Sequence, residues 1–139
     1  MSEATTEAAT DNEAAETAIR ACVKRFYEKG DADPLLGPIF AKSISELEPH
    51  IDVVANFWSH ALLGTTRYQG TPFGVHVNLA VEPQHFQRWL SLFIETARET
   101  MPSKLASAAI ARAEHMTQCF QSGLFPFKDA EGRPSREPA

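Results

Sequence analysis

The chain has 139 residues, 43% of them hydrophobic and 22% charged, with a formal net charge of −5. That length suits one domain, able to bury roughly two-thirds of its unfolded surface. Five acidic residues precede the first basic one, Arg20, and the rest carries 13 acidic and 13 basic side chains, so no basic stripe supports nucleic-acid binding.

No apolar run approaches the roughly 18 residues of a membrane helix, and no basic n-region or Arg-rich presequence opens the chain, so a cytoplasmic protein is expected. Cys22 and Cys119 lack a CxxC partner and read as small core residues in a reducing compartment.

Residues 1–12 are rich in Ala, Thr and Glu, and residues 126–139 contain three prolines; both read as tails flanking a domain over 13–125. Between them the apolar spacing is helical, and an all-α domain is expected. The first helix runs from about Asn12 to Lys29 with Ile19, Cys22, Val23, Phe26 and Tyr27 on one face, and Gly30 is expected to stop it. Before the short apolar segment LLGPIF, Pro34 suits the first position of a single helical turn, and Phe40 points inward.

A second long helix starts near Ser45 to Pro49 and ends at Gly64, with capping-box spacing from Ser45 to Glu48. Its inner stripe is His50, Val54, Phe57, Trp58 and Ala61, and His60 faces outward. TTRYQGTP reads as loop, and Phe73 to Leu79 has room for only a short helix. A third long helix starts at Pro83 with Phe86, Trp89, Leu90, Phe93 and Ala97 on one side, ending near Pro102. The fourth uses Leu105, Ala108, Ala109, Ala113, Met116, Phe120 and Leu124. Four long helices with short connectors form either a plain bundle or helix pairs crossed around a cofactor.

Tyr27, His50 and Trp89 stand out because each places a hydrogen-bonding group on an apolar stripe, where an unsatisfied one costs about 1–3 kcal/mol. Separately satisfied by backbone groups, they would be ordinary core residues; together they would make a polar cluster for a small oxygen-containing ligand. His76, flanked by Val75 and Val77 between a loop and a proline-started helix, is placed to present one imidazole to a cavity, the usual axial ligand of haem iron. His85 and His115 read as helix-surface residues. On spacing alone, His50, His76 and His85 remain rivals as a metal ligand.

The ordered set RFYEKG, DPLLGPIF, His50-x6-Phe57-Trp58, LLGTTRYQGTPFGVH and HFQRWLSLF resembles the third group of truncated haemoglobins over about Val23 to Leu124. The resemblance implies a two-over-two helical sandwich enclosing haem b, iron protoporphyrin IX. By position His76 is similar to the proximal iron ligand, Tyr27 and Trp89 to distal donors, and His50 to the distal histidine and a candidate second iron ligand. Phe40, Val54, Phe57, Trp58 and Leu79 resemble haem-packing residues, and Arg67 or Tyr68 a propionate partner. Pro49, directly before His50, departs from the family pattern and bears on where that imidazole sits.

The implied function is reversible binding of O2, NO or another small ligand by a monomer. NO dioxygenase or peroxidase-like chemistry with a separate reductase is the alternative, since no flavin or nicotinamide fingerprint is present. From a different class, a cofactor-free helical interaction module would need only that the three polar residues be packed. A non-haem metal site has no HExxH motif to support it.

Overall fold

A computed structural model describes residues 2–70 and 81–137, with side chains from residue 11 onward. Among the described residues the elements are α1 (Ser2–Asp31), α2 (Gly37–Ser43), α3 (Leu47–Leu63), α4 (Pro83–Thr100) and α5 (Ser103–Leu124), followed by a hairpin of β1 (Phe127–Lys128) and β2 (Pro134–Ser135). Helix α1 packs on α3 and α4, and α5 packs on α4 and α3, which closes the four long helices into two crossed layers. This two-layer packing of helices agrees with the all-α helical sandwich expected from the sequence.

Each helix shows its cause in the sequence. On α1 the residues at offsets of three and four, Ile19, Cys22, Val23 and Phe26, are all buried. The helix begins at Ser2, well before the expected Asn12, because alanine and glutamate are strong helix formers that need no core to remain helical. Helix α3 starts from Glu46 with no side-chain cap bond, so the Ser45 and Glu48 capping box is not formed, and it ends on Gly64 in the left-handed conformation. In α4, Pro83 occupies the first turn; the Glu82 side chain accepts from the backbone of His85, and His85 Nδ1 accepts the Glu82 amide at 2.8 Å, a reciprocal cap.

Three further expectations, at Gly30, Ala108 and Cys119, need correction. Gly30 does not stop α1, which continues to Asp31. Its missing side chain serves packing instead: a Cβ at this position would lie 2.3 Å from Cε2 of Phe40. On α5 the buried face runs through Ala106, Ala109, Ala113 and Thr117, so Ala108 is exposed. Cys119 is exposed as well, two residues past Thr117 and therefore on the far side of the helix, whereas Cys22 is fully buried.

The main core is aromatic. The Phe93 ring lies nearly parallel to Trp58, with centroids 4.7 Å apart, and to Trp89 at 5.3 Å, while Phe26 meets Trp89 edge-on at 5.5 Å. Val81, Phe86, Leu124 and Phe125 form a smaller, separate cluster. No described helix is long and apolar enough to cross a membrane. Residues 126–137, expected as tail, contain the hairpin, whose turn is ordered by Asp129 Oδ1 accepting the amides of Glu131 at 3.0 Å and Arg133 at 2.8 Å.

Gly30→Ala separates two opposing effects. Helix propensity favours Ala by roughly 0.8–1 kcal/mol, but displacing Phe40 costs about 1–3 kcal/mol. Net destabilisation is expected in urea unfolding, and a more stable variant would show that Phe40 yields freely.

Candidate functional site

A cavity of about 430 Å3 opens between α1, α2, α3, α4 and the last turns of α5. Its size falls in the range of roughly 300–1,000 Å3 usual for small-molecule sites. Phe40, Val54, Phe57, Trp58, Tyr68 and Trp89 line it, as do Tyr27 and His50. The stripe His50, Val54, Phe57 and Trp58 therefore faces a void, while the adjacent face of α3, with Ile51, Ala55 and Ser59, is buried.

At the cavity wall the Tyr27 hydroxyl and His50 Nε2 lie 2.9 Å apart, with the rings edge-on at 5.1 Å. Residues on α1 and on the first turn of α3 thus meet at the cavity wall. Burial pushes the Tyr27 phenol well above its ordinary range, so it stays protonated at neutral pH and keeps one hydrogen to donate. A proton on His50 Nε2 would be donated to the phenol oxygen and leave the phenol hydrogen free for a ligand; the other tautomer would consume it.

Trp89 is half-buried on the same wall, set by the Phe26 and Phe93 rings. Tyr68 lies against Phe57 at 5.3 Å between centroids. Arg67 is not a lining residue: its guanidinium donates to Asn56 Oδ1 at 3.0 Å and Ser59 Oγ at 3.0 Å and pairs with Glu16. His76 and Leu79 lie outside the described residues. Among the described residues, no group of three or more His, Cys, Asp or Glu side chains is placed to hold a metal ion.

Sequence reasoning missed several wall residues. Leu36, Ile39, Ile44, Val53, Val81, Phe86, Met116 and Phe120 all line the cavity. His85 lines it too, while its Nδ1 serves the α4 cap. The apolar ones were legible as apolar; periodicity separates the inner face of a helix from the outer, but not core from void.

The corner between α1 and α2 is held by Asp33, which is buried. Its Oδ2 accepts the amides of Leu35 at 3.0 Å and Leu36 at 2.9 Å, and its Oδ1 accepts Arg88 Nε at 2.6 Å. Leu36 is thereby fixed in the cavity wall, and Arg88 ties the corner to the helix that carries Trp89. Burial alone would raise the Asp33 carboxyl, but the Leu36 amide, the Arg88 guanidinium and the Leu35 amide outweigh it and hold it below the ordinary carboxylate value.

Residues 11–122 match the family model of the bacterial-like globins. Over 107 residues the chain is 35% identical to a group 3 truncated haemoglobin of Campylobacter jejuni, covering 73% of this chain and 84% of that relative. The crystal structure of the group III truncated haemoglobin from Campylobacter jejuni superposes with a TM-score of 0.74 at 31% identity, over 79% of this chain and 91% of that one.

The chain belongs to the third group of truncated haemoglobins. As a haem-binding globin, it has a cavity whose make-up suits haem: aromatic and aliphatic walls for a flat apolar macrocycle, and a few polar side chains among them. A second depression of about 490 Å3, between the end of α4 and α5, is lined by Arg98, Ser103, Ser107 and Glu114 among others and holds none of the residues singled out from the sequence.

Asp33→Asn should cost about 1–3 kcal/mol, since it weakens charge-assisted bonds to buried amides. Because the folded-state pKa is depressed, the carboxylate's contribution is present above the unfolded value and is lost as pH falls through the folded one. Urea titrations at several acidic pH values should show this loss in the parent and not in Asp33→Asn; parallel curves would contradict it.

Proposed function

We propose that this truncated haemoglobin binds O2 or another diatomic ligand reversibly at the iron of haem b, with His76 as the protein's iron ligand. When bound, the haem supplies the iron at which the ligand is taken up. Haem b is favoured because neither Cys22 nor Cys119 stands in a CxxCH attachment motif. Residues 13–125 form the haem-holding unit in this reading, and free cysteines suit a cytoplasmic monomer.

The observation that carries the proposal is the Tyr27 and His50 pair on the wall of a mostly apolar cavity that Trp89 also lines. Tyr27 donates its phenol hydrogen toward the ligand, and His50, protonated at Nε2, donates to the phenol oxygen and orients it. Trp89 adds an indole N–H, which only donates. His50 is thereby occupied in orienting Tyr27, which argues against its role as a second iron ligand. Phe40, Val54, Phe57 and Trp58 pack the ring, with Leu79 assigned to the same task. Tyr68 is the better partner for a polar ring substituent, since Arg67 is engaged by Glu16, Ser59 and Asn56.

Two donors on a partly negative ligand contribute about 1.5–3 kcal/mol each, which slows release roughly ten- to hundredfold per donor. Slow release suits redox turnover of O2 or NO, fed by an external reductase, better than bulk delivery. Tyr27→Phe and Trp89→Phe should each raise the O2 dissociation rate in stopped-flow measurements; unchanged rates in both would remove the donor assignment. His76→Ala should lose haem on gel filtration and lose the parent's axial-ligand spectrum. Retention of that spectrum would make another residue the ligand.

A further inference from the structure

The family match ends at residue 122, yet the chain beyond it returns to the cavity wall. Val81 and Phe86 line the cavity and are buried against Leu124 and Phe125, which stand behind them at the end of α5. Over this cluster lies Arg136, one residue past β2: its guanidinium carbon is 5.3 Å from the centroid of the Phe125 ring, and its Nη2 donates to the Val81 carbonyl at 3.2 Å. Val81 immediately precedes Glu82, whose amide is held by His85. The chain entering α4 is thus gripped at consecutive residues, once from within the helix and once by Arg136.

We infer that Arg136 is a positioning residue for the haem cavity, acting through Val81 and Phe125 to hold the wall that Val81 and Phe86 present. The inference rests on the haem-binding reading and assigns to the C-terminal hairpin a task in haem retention. A hairpin with two paired residues per strand is not stable by itself. It is held by its Asp129 turn at one end and by the Arg136 contacts at the other, so hairpin and cavity wall stabilise each other. Without Arg136, the Val81 carbonyl exchanges a protein donor for water, the Phe125 ring loses its covering cation, and the wall opens more often.

The test uses the full chain reconstituted with haem, in Arg136→Ala, Arg136→Lys and Asp129→Ala. First-order haem transfer to excess apomyoglobin should be about three- to tenfold faster in Arg136→Ala. Asp129→Ala, which loosens the hairpin from its far end, should move the rate the same way, and Arg136→Lys, which keeps a cation and a donor, should fall between parent and Ala. In the apoprotein, amide exchange should rise at Glu82 and Phe86 while the α1 and α3 amides and the helix melting curve stay unchanged. Parental haem loss in both Arg136→Ala and Asp129→Ala would overturn the inference, as would faster exchange spread over the whole chain. A parent chain that takes up no haem would overturn the underlying haem reading instead, and would show it before any variant is made.

Discussion

An apolar cavity inside a small helical protein is the constraint on which the rest depends. Without an occupant, its largely aromatic and aliphatic walls stay in contact with water, at a cost of roughly 25 cal/mol for each Å2 of apolar surface left uncovered. Helices α1, α3, α4 and α5 are held apart around that space by parts with other work to do. The Trp58, Phe93 and Trp89 rings stack on one another, and Phe86 packs in a separate cluster with Leu124 and Phe125. A macrocycle with two apolar faces removes the cost, which is why fold and cofactor belong to one account.

The polar groups are few and placed by tertiary contacts. Tyr27 and His50 come from different helices, and their bond forms because α2 and the Asp33 corner bring the start of α3 back over α1. Gly30 permits that return by letting Phe40 lie directly on α1. Remove either device and the effect reaches the Tyr27 and His50 pair through geometry, without any change in those two side chains.

Much of this was legible in the sequence, and the gaps have physical causes. Helical periodicity marked α3, α4 and α5 within a few residues of their bounds and put Tyr27, His50 and Trp89 on inward faces. Periodicity does not tell a face that meets other side chains from one that meets a void: it put Val54 and Phe57 on an inner stripe, and only the family resemblance set them against a cofactor. Gly30 was misread because glycine near a helix end usually marks a stop, and only the approach of Phe40 reveals its packing use. Cys119 was misread because buried and exposed cysteines look alike in a sequence. The engagement of Arg67 by Glu16 joins residues far apart in the chain, and no local pattern announces it. The choice of His76 among the rival histidines came from family resemblance, not from spacing.

The chain has two tryptophans, Trp58 and Trp89, and both line the cavity. Titration of the apoprotein with haem, followed by tryptophan fluorescence, therefore tests most directly whether this cavity is the haem site. The account predicts that quenching removes most of the emission and saturates at one haem per chain. Saturable haem uptake that leaves both tryptophans bright would place the cofactor elsewhere and contradict it.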